Sequence, residues 1–158
     1  MESMKTALRL RAEFAKYSPR VLQDSTDDGG DCAEVLFDGD GEKLHVSVTI
    51  KAAENACGVW LGGVCVSDET PADKISELLG YIFADKIAVV SKYRNRARFE
   101  AKEPYFERVF VVLENESFDE YVNDLRKPRG WLYRLWNGEG VYVITKYSGR
   151  EIIDGKNS

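Results

Sequence analysis

Lys43-Leu44-His45-Val46-Ser47-Val48-Thr49-Ile50-Lys51 alternates cleanly between apolar and polar side chains. Leu44, Val46, Val48 and Ile50 share one face of an extended chain, and His45, Ser47, Thr49 and Lys51 share the other. A period of two over this length predicts a strand with one dry and one wet face. Such a strand needs partners on both edges. Upstream, Ala33–Phe37 reads as a short strand, and Asp38-Gly39-Asp40-Gly41 reads as a tight hairpin turn. Downstream, Glu54–Gly58 can turn the chain, and Val59–Ser67 returns as a more uniformly apolar strand. Gly62-Gly63 inside that run suggests a bulge or bend. The quoted stretch is therefore expected at the centre of an antiparallel sheet.

The rest of the chain supplies helices and further strands. Ala7, Leu10, Phe14 and Tyr17 form an apolar stripe on a predicted helix over residues 3–17, which Pro19 ends. Thr70-Pro71-Ala72-Asp73 has the chemistry of a helix start. Ile75, Leu78, Leu79, Ile82 and Phe83 continue it at helical spacing, so a helix over 71–84 is expected across the sheet. Ile87–Val90, Ala97–Lys102 and Phe106–Leu113 read as strands. Ser117 with Glu120 forms a capping box for a second helix, whose stripe is Phe118, Tyr121, Val122 and Leu125. Trp131–Trp136 and Val141–Tyr147 read as a closing hairpin around Asn137-Gly138-Glu139-Gly140. The short turns joining successive strands point to an α+β fold, a mostly antiparallel sheet packed by two helices plus the N-terminal helix. A single domain over residues 1–153 with a frayed tail at 154–158 is expected.

Composition fits an ordinary globular chain. Of 158 residues, 44% are hydrophobic and 31% charged, which suits neither a disordered segment nor a membrane span. The start of the chain lacks a signal-peptide pattern. Cys32, Cys57 and Cys65 are odd in number and contain no C-x-x-C, so free thiols in a reducing, cytoplasmic setting are expected.

The net charge of −5 is unevenly spread. Residues 21–42 hold eight carboxylates and no base, whereas residues after 42 hold 17 basic and 17 acidic side chains. Asp24, Asp27, Asp28, Asp31, Asp38 and Asp40 would set up a negative field able to steer a basic partner. Small acidic inhibitors and toxin-neutralising immunity proteins work on this physics. The loop does not make an EF-hand: starting from Asp24, position 12 is Val35 instead of the bidentate Glu.

Asp85 followed by Glu100-Ala101-Lys102 resembles the PD-(D/E)xK nuclease motif, with Ala84 where the motif has Pro. The resemblance covers about 18 residues and implies Mg²⁺ held by Asp85 and Glu100 on adjacent strands, with Lys102 positioning the attacking water. Lys92, Arg94, Arg96 and Arg98 alternate with Tyr93 and reach Phe99, a pattern able to grip phosphates and stack bases. The following acids and the overall acidity argue against nucleic acid as a partner. One histidine, His45, on a wet strand face gives little basis for nucleophilic catalysis or a zinc site. No phosphate-binding glycine loop is present, and no cofactor or metal is expected. Trp131, Tyr133, Trp136, Tyr142 and Tyr147 form an aromatic cluster. Trp131, Tyr133 and Arg134 have the composition of an interface hot spot. The sequence thus favours a non-enzymatic protein-binding domain, an acidic inhibitor or immunity-like regulator of a basic partner, with a Mg²⁺-dependent nuclease as the alternative.

Overall fold

In the computed structural model, Val46, Val48 and Ile50 of strand β3 (Val46–Lys51) are buried, while Ser47, Thr49 and Lys51 are half-buried. The period read in the sequence is the pleat of the sheet. The structure describes residues 2–22, 30–111, 116–127, 130–137 and 140–154. The chain divides into two units, residues 1–84 with 147–149, and residues 85–146 with 150–158.

The first unit contains helix α1 (Glu2–Glu13), strands β1 (Pro19–Leu22), β2 (Cys32–Phe37), β3, β4 (Ala56–Leu61) and β5 (Val64–Pro71), and helix α2 (Ile75–Phe83). The strands follow one another in sheet order, each antiparallel to the next, so β3 is central as expected. Three apolar rungs cross the middle: Phe37–Val46–Leu61, Val35–Val48–Val59 and Ala33–Ile50–Cys57. None of these nine residues is more than 2% exposed. Each fully buried large side chain contributes about 1.5–3 kcal/mol of transfer free energy.

Helix α1 lies against β1, β2 and β3, with Ala7 and Leu10 wholly buried. The chain then tightens into a single 3₁₀ turn at Ala15–Tyr17, and Ser18 takes a left-handed φ of 50°. This brings Phe14 and Tyr17 into a cluster with Phe37, Phe83 and Tyr147. Tyr17 stacks on Phe83 at 3.9 Å, and Phe83 meets Phe37 and Tyr147 edge-on. Two polar ties join α1 to α2 and the turn before it: Arg9 donates to the Ala72 carbonyl at 2.9 Å, and Ser76 Oγ donates to Glu13 at 2.7 Å.

The second unit contains β6 (Ile87–Tyr93), α3 (Arg96–Glu100), β7 (Phe106–Val111), α4 (Glu116–Arg126), α5 (Trp131–Asn137), β8 (Val141–Lys146) and, from Arg150 on, β9 (Gly149–Asp154). Its sheet order is β7-β6-β8-β9, with β6 antiparallel to β7 and β8. As an inner strand, β6 is buried on both faces from Ile87 to Ser91, which explains its unbroken apolar run. The predicted stripe of α4 is its packed face. Phe118 and Val122 join Ala88, Val90, Ile144 and Ile153, flanked by Tyr121 and Leu125.

The α+β class and the antiparallel pairing therefore hold, with the strands divided between two sheets. Several local expectations do not hold. Gly62-Gly63 is not a bulge within one strand. Both glycines have positive φ, 56° and 86°, and form the two-residue turn between β4 and β5. Residues 38–41 do not close a tight hairpin; β2 and β3 are joined by the longer connection 38–45. Thr70 and Pro71 end β5, opposite Cys57 and Ala56, and do not start the helix. Proline is tolerated there because β5 is an edge strand. The helix begins four residues later, its first bond running from Leu78 N to the Lys74 carbonyl.

Two predicted strands are helices. Residues 97–102 fall on α3 and the turn after it. The Asn95 side chain caps that helix by accepting from Arg98 N at 2.9 Å, and Arg96 pairs with Glu100 one turn on. Residues 131–136 fall on α5. Strands β1 and β9 escaped the sequence reading, since each is short and lacks an apolar alternation.

Candidate functional site

Strand β6 leaves the core at Lys92, and its last residues build a basic and aromatic corner of the second unit. The Lys92 carbonyl accepts from Tyr105 N at 2.6 Å, which brings the start of β7 alongside. The Lys92 ammonium lies 5.9 Å from the Phe106 ring centre and 5.6 Å from that of Tyr142. Cation–π attraction at such distances holds the ammonium in place.

The four alternating cations fall into two pairs. Arg96 lies 4.8 Å from the centre of Phe99, and makes ion pairs with Glu100 at 3.5 Å and Asp154 at 3.4 Å. Arg98 pairs with Glu103. Both are thus matched within the unit. Lys92 and Arg94 have no carboxylate partner among the described residues. They line a pocket of about 180 Å³ together with Tyr105 and Trp136. Trp136 is 78% exposed and Tyr105 72% exposed, so much of each ring is free to meet a ligand.

Helix α5 is unusual in its exposure. Trp131, Leu132, Tyr133, Leu135 and Trp136 are all at least 41% exposed, five large apolar side chains in seven residues. Helical geometry sorts them into two neighbouring rows, Trp131 with Leu135 and Leu132 with Trp136. Arg134 is half-buried. On the predicted strand, Trp131 and Tyr133 would have shared a face. On a helix, residues two apart do not.

The acids singled out by charge have varied fates. Asp31 accepts from the backbone N–H groups of Glu2, at 2.8 Å, and Ser3, at 3.3 Å, and from the Ser3 hydroxyl. It therefore caps the start of α1, where a negative charge also meets the positive end of the helix dipole. The Ser3 hydroxyl bond is the main influence holding its carboxyl below the usual carboxylate value. Asp38 is gripped by the Arg20 guanidinium through two contacts, at 2.9 and 3.0 Å. Asp40 is exposed in the connection between β2 and β3. Asp24, Asp27 and Asp28 lie outside the described residues.

The residues of the nuclease resemblance sit in three different settings. Asp85 precedes β6 with a left-handed φ of 57°, Glu100 ends α3 in its pair with Arg96, and Lys102 follows at a φ of 56°. The adjacent strands that the resemblance implies for Asp85 and Glu100 are not formed. Among the described residues, no three His, Cys, Asp or Glu side chains gather as metal ligands would. His45 is exposed just before β3. Cys57 is buried, which pushes its thiol pKa up and away from the reactive thiolate. Cys32 and Cys65 are half-buried, and neither is in a disulfide among the described residues.

The sequence marked Lys92, Arg94 and Trp136 within two separate patterns and passed over Tyr105. Nothing local signals that these four residues meet, because the pocket forms by pairing β6 with β7 and by the placement of α5. Among the described residues, no helix is long and apolar enough to cross a membrane. The chain matches no protein-family model, no curated protein and no solved structure.

Proposed function

We propose that this chain is a non-enzymatic protein-binding module whose contact surface is α5. The observation that carries this reading is the exposure of Trp131, Leu132, Tyr133, Leu135 and Trp136 on one short helix. Contiguous exposed apolar surface of this kind costs solubility unless a partner covers it. Trp, Tyr and Arg are also the residues that dominate interface energetics. The row formed by Trp131 and Leu135 suits insertion into an apolar groove of another protein.

Charge favours a neutral or acidic partner at this surface. The second unit carries 14 Lys and Arg against 12 Asp and Glu, although the whole chain is acidic. The acidic 24–42 region gives less support to docking a basic partner, because Asp31 and Asp38 already serve α1 and Arg20. The nuclease alternative gains no support from the helical setting of Glu100.

The test is capture of interacting proteins on the immobilised chain, run in parallel with Trp131→Ser/Leu135→Ser and with Asp38→Asn/Asp40→Asn. A protein retained by the parent and the Asp variant, and lost by the α5 variant, is the expected result. Both α5 positions are exposed, so folding stability should change by less than about 0.5 kcal/mol each. Retention that ignores the α5 changes would sink the reading.

A further inference from the structure

We infer that the pocket formed by Lys92, Arg94, Tyr105 and Trp136 is a binding site for a nucleotide unit, its phosphate on the two cations and its base against the two rings. This goes beyond the protein-binding reading of α5 and uses the other row of that helix, Leu132 with Trp136.

The two cations point to an anion. Lys92 and Arg94 lie two residues apart in the chain, line the same pocket, and lack an ion pair among the described residues, whereas Arg96 and Arg98 beside them are matched. Like charges brought together without a counterion repel, and a bound anion removes that cost. A phosphate suits the pair well. The Arg guanidinium can donate two parallel bonds to it, and the Lys ammonium adds a point charge already steadied over Tyr142 and Phe106.

The two rings point to a planar partner. Tyr105 and Trp136 border the pocket while remaining mostly exposed. Aromatic side chains placed beside cations are the usual platform for unpaired bases, because every base has a π-face. The volume of about 180 Å³ is below the roughly 300 Å³ at which drug-sized pockets begin, so it suits one ring system. A nucleotide engages all four side chains. An inorganic anion would leave both rings uncovered, and an uncharged aromatic compound would leave both cations unmatched.

The same chemistry is offered by a free nucleotide and by an unpaired residue of a single strand. Binding of AMP, UMP and a fluorescein-labelled ten-residue oligothymidylate to the full chain is measured by calorimetry, tryptophan emission and anisotropy. An acidic, tyrosine-containing peptide serves as the competing class. Binding of the mononucleotides supports a free-nucleotide site. Binding of the oligonucleotide alone supports a strand site. In either case Arg94→Ala and Lys92→Gln should each weaken binding about tenfold, and added salt should weaken it further. Trp136→Phe should remove most of the emission change, leaving Trp60 and Trp131 unaffected. Circular dichroism of each variant checks that the fold is kept. No binding of any nucleotide at about 1 mM, binding unchanged in Arg94→Ala, or equal binding of the acidic peptide would overturn the assignment.

Discussion

The Trp60 indole lies across Gly58, two residues earlier on the same face of β4: a β-carbon on Gly58 would overlap the far edge of the ring. Two non-bonded carbons cannot approach so closely, so the indole would have to move aside for any side chain at Gly58. Gly58 is itself buried, opposite Thr49 of the central strand. Gly58→Ala should therefore destabilise the protein by about 1–3 kcal/mol, the usual cost of overpacking. Urea denaturation checks this. In a Trp60→Ala background the same substitution should cost far less, and an undiminished cost there would show that the ring is not the obstacle.

Asp31 should make the stability of α1 depend on acid. Its carboxyl is held below the usual carboxylate value, first by the Ser3 hydroxyl and then by the backbone N–H groups of Ser3 and Glu2. A group whose folded pKa is depressed stabilises the fold above its unfolded pKa and loses that contribution as pH falls through the folded value. Asp31→Asn keeps a capping oxygen and removes the charge. The parent should be the more stable at pH 7, and the gap should close as pH drops below about 4. Denaturation midpoints of the two proteins across that range give the answer. A gap that stays constant, or widens in acid, contradicts the cap.

Thr145 offers a stabilising change. Its side chain in β8 is wholly buried, and its Oγ1 has no hydrogen-bond partner among the described residues. A buried, unsatisfied hydroxyl costs about 1–3 kcal/mol. Thr145→Val keeps the β-branched shape and removes the polar atom. The variant should be more stable by about 1 kcal/mol in urea or thermal unfolding. A loss of stability instead would mean that the hydroxyl is satisfied in solution.

Much of the architecture was legible because it rests on local patterns. The alternation in Lys43–Lys51 places β3, and Val46, Val48 and Ile50 are the buried centre of the first sheet. The stripe Phe118, Tyr121, Val122 and Leu125 likewise marks the face that α4 packs. The failures occur where two structures share one pattern. Arg96-Ala97-Arg98-Phe99-Glu100 alternates like a strand, yet Asn95 and the Arg96–Glu100 pair make it a helix. Trp131–Trp136 is apolar nearly throughout, and a short apolar run has no period to read.

The sequence by itself determined the α+β class, the antiparallel pairing and the uneven charge, because periodicity, turn chemistry and composition act over a few residues. Only the tertiary structure decided that Asp31 serves α1, that Asp38 serves Arg20, and that Lys92, Arg94, Tyr105 and Trp136 share one pocket. Those relationships join residues as far apart as 44 positions, from Lys92 to Trp136. Distances of that kind are set by which strands pair and where helices come to rest, and no short stretch of sequence encodes them.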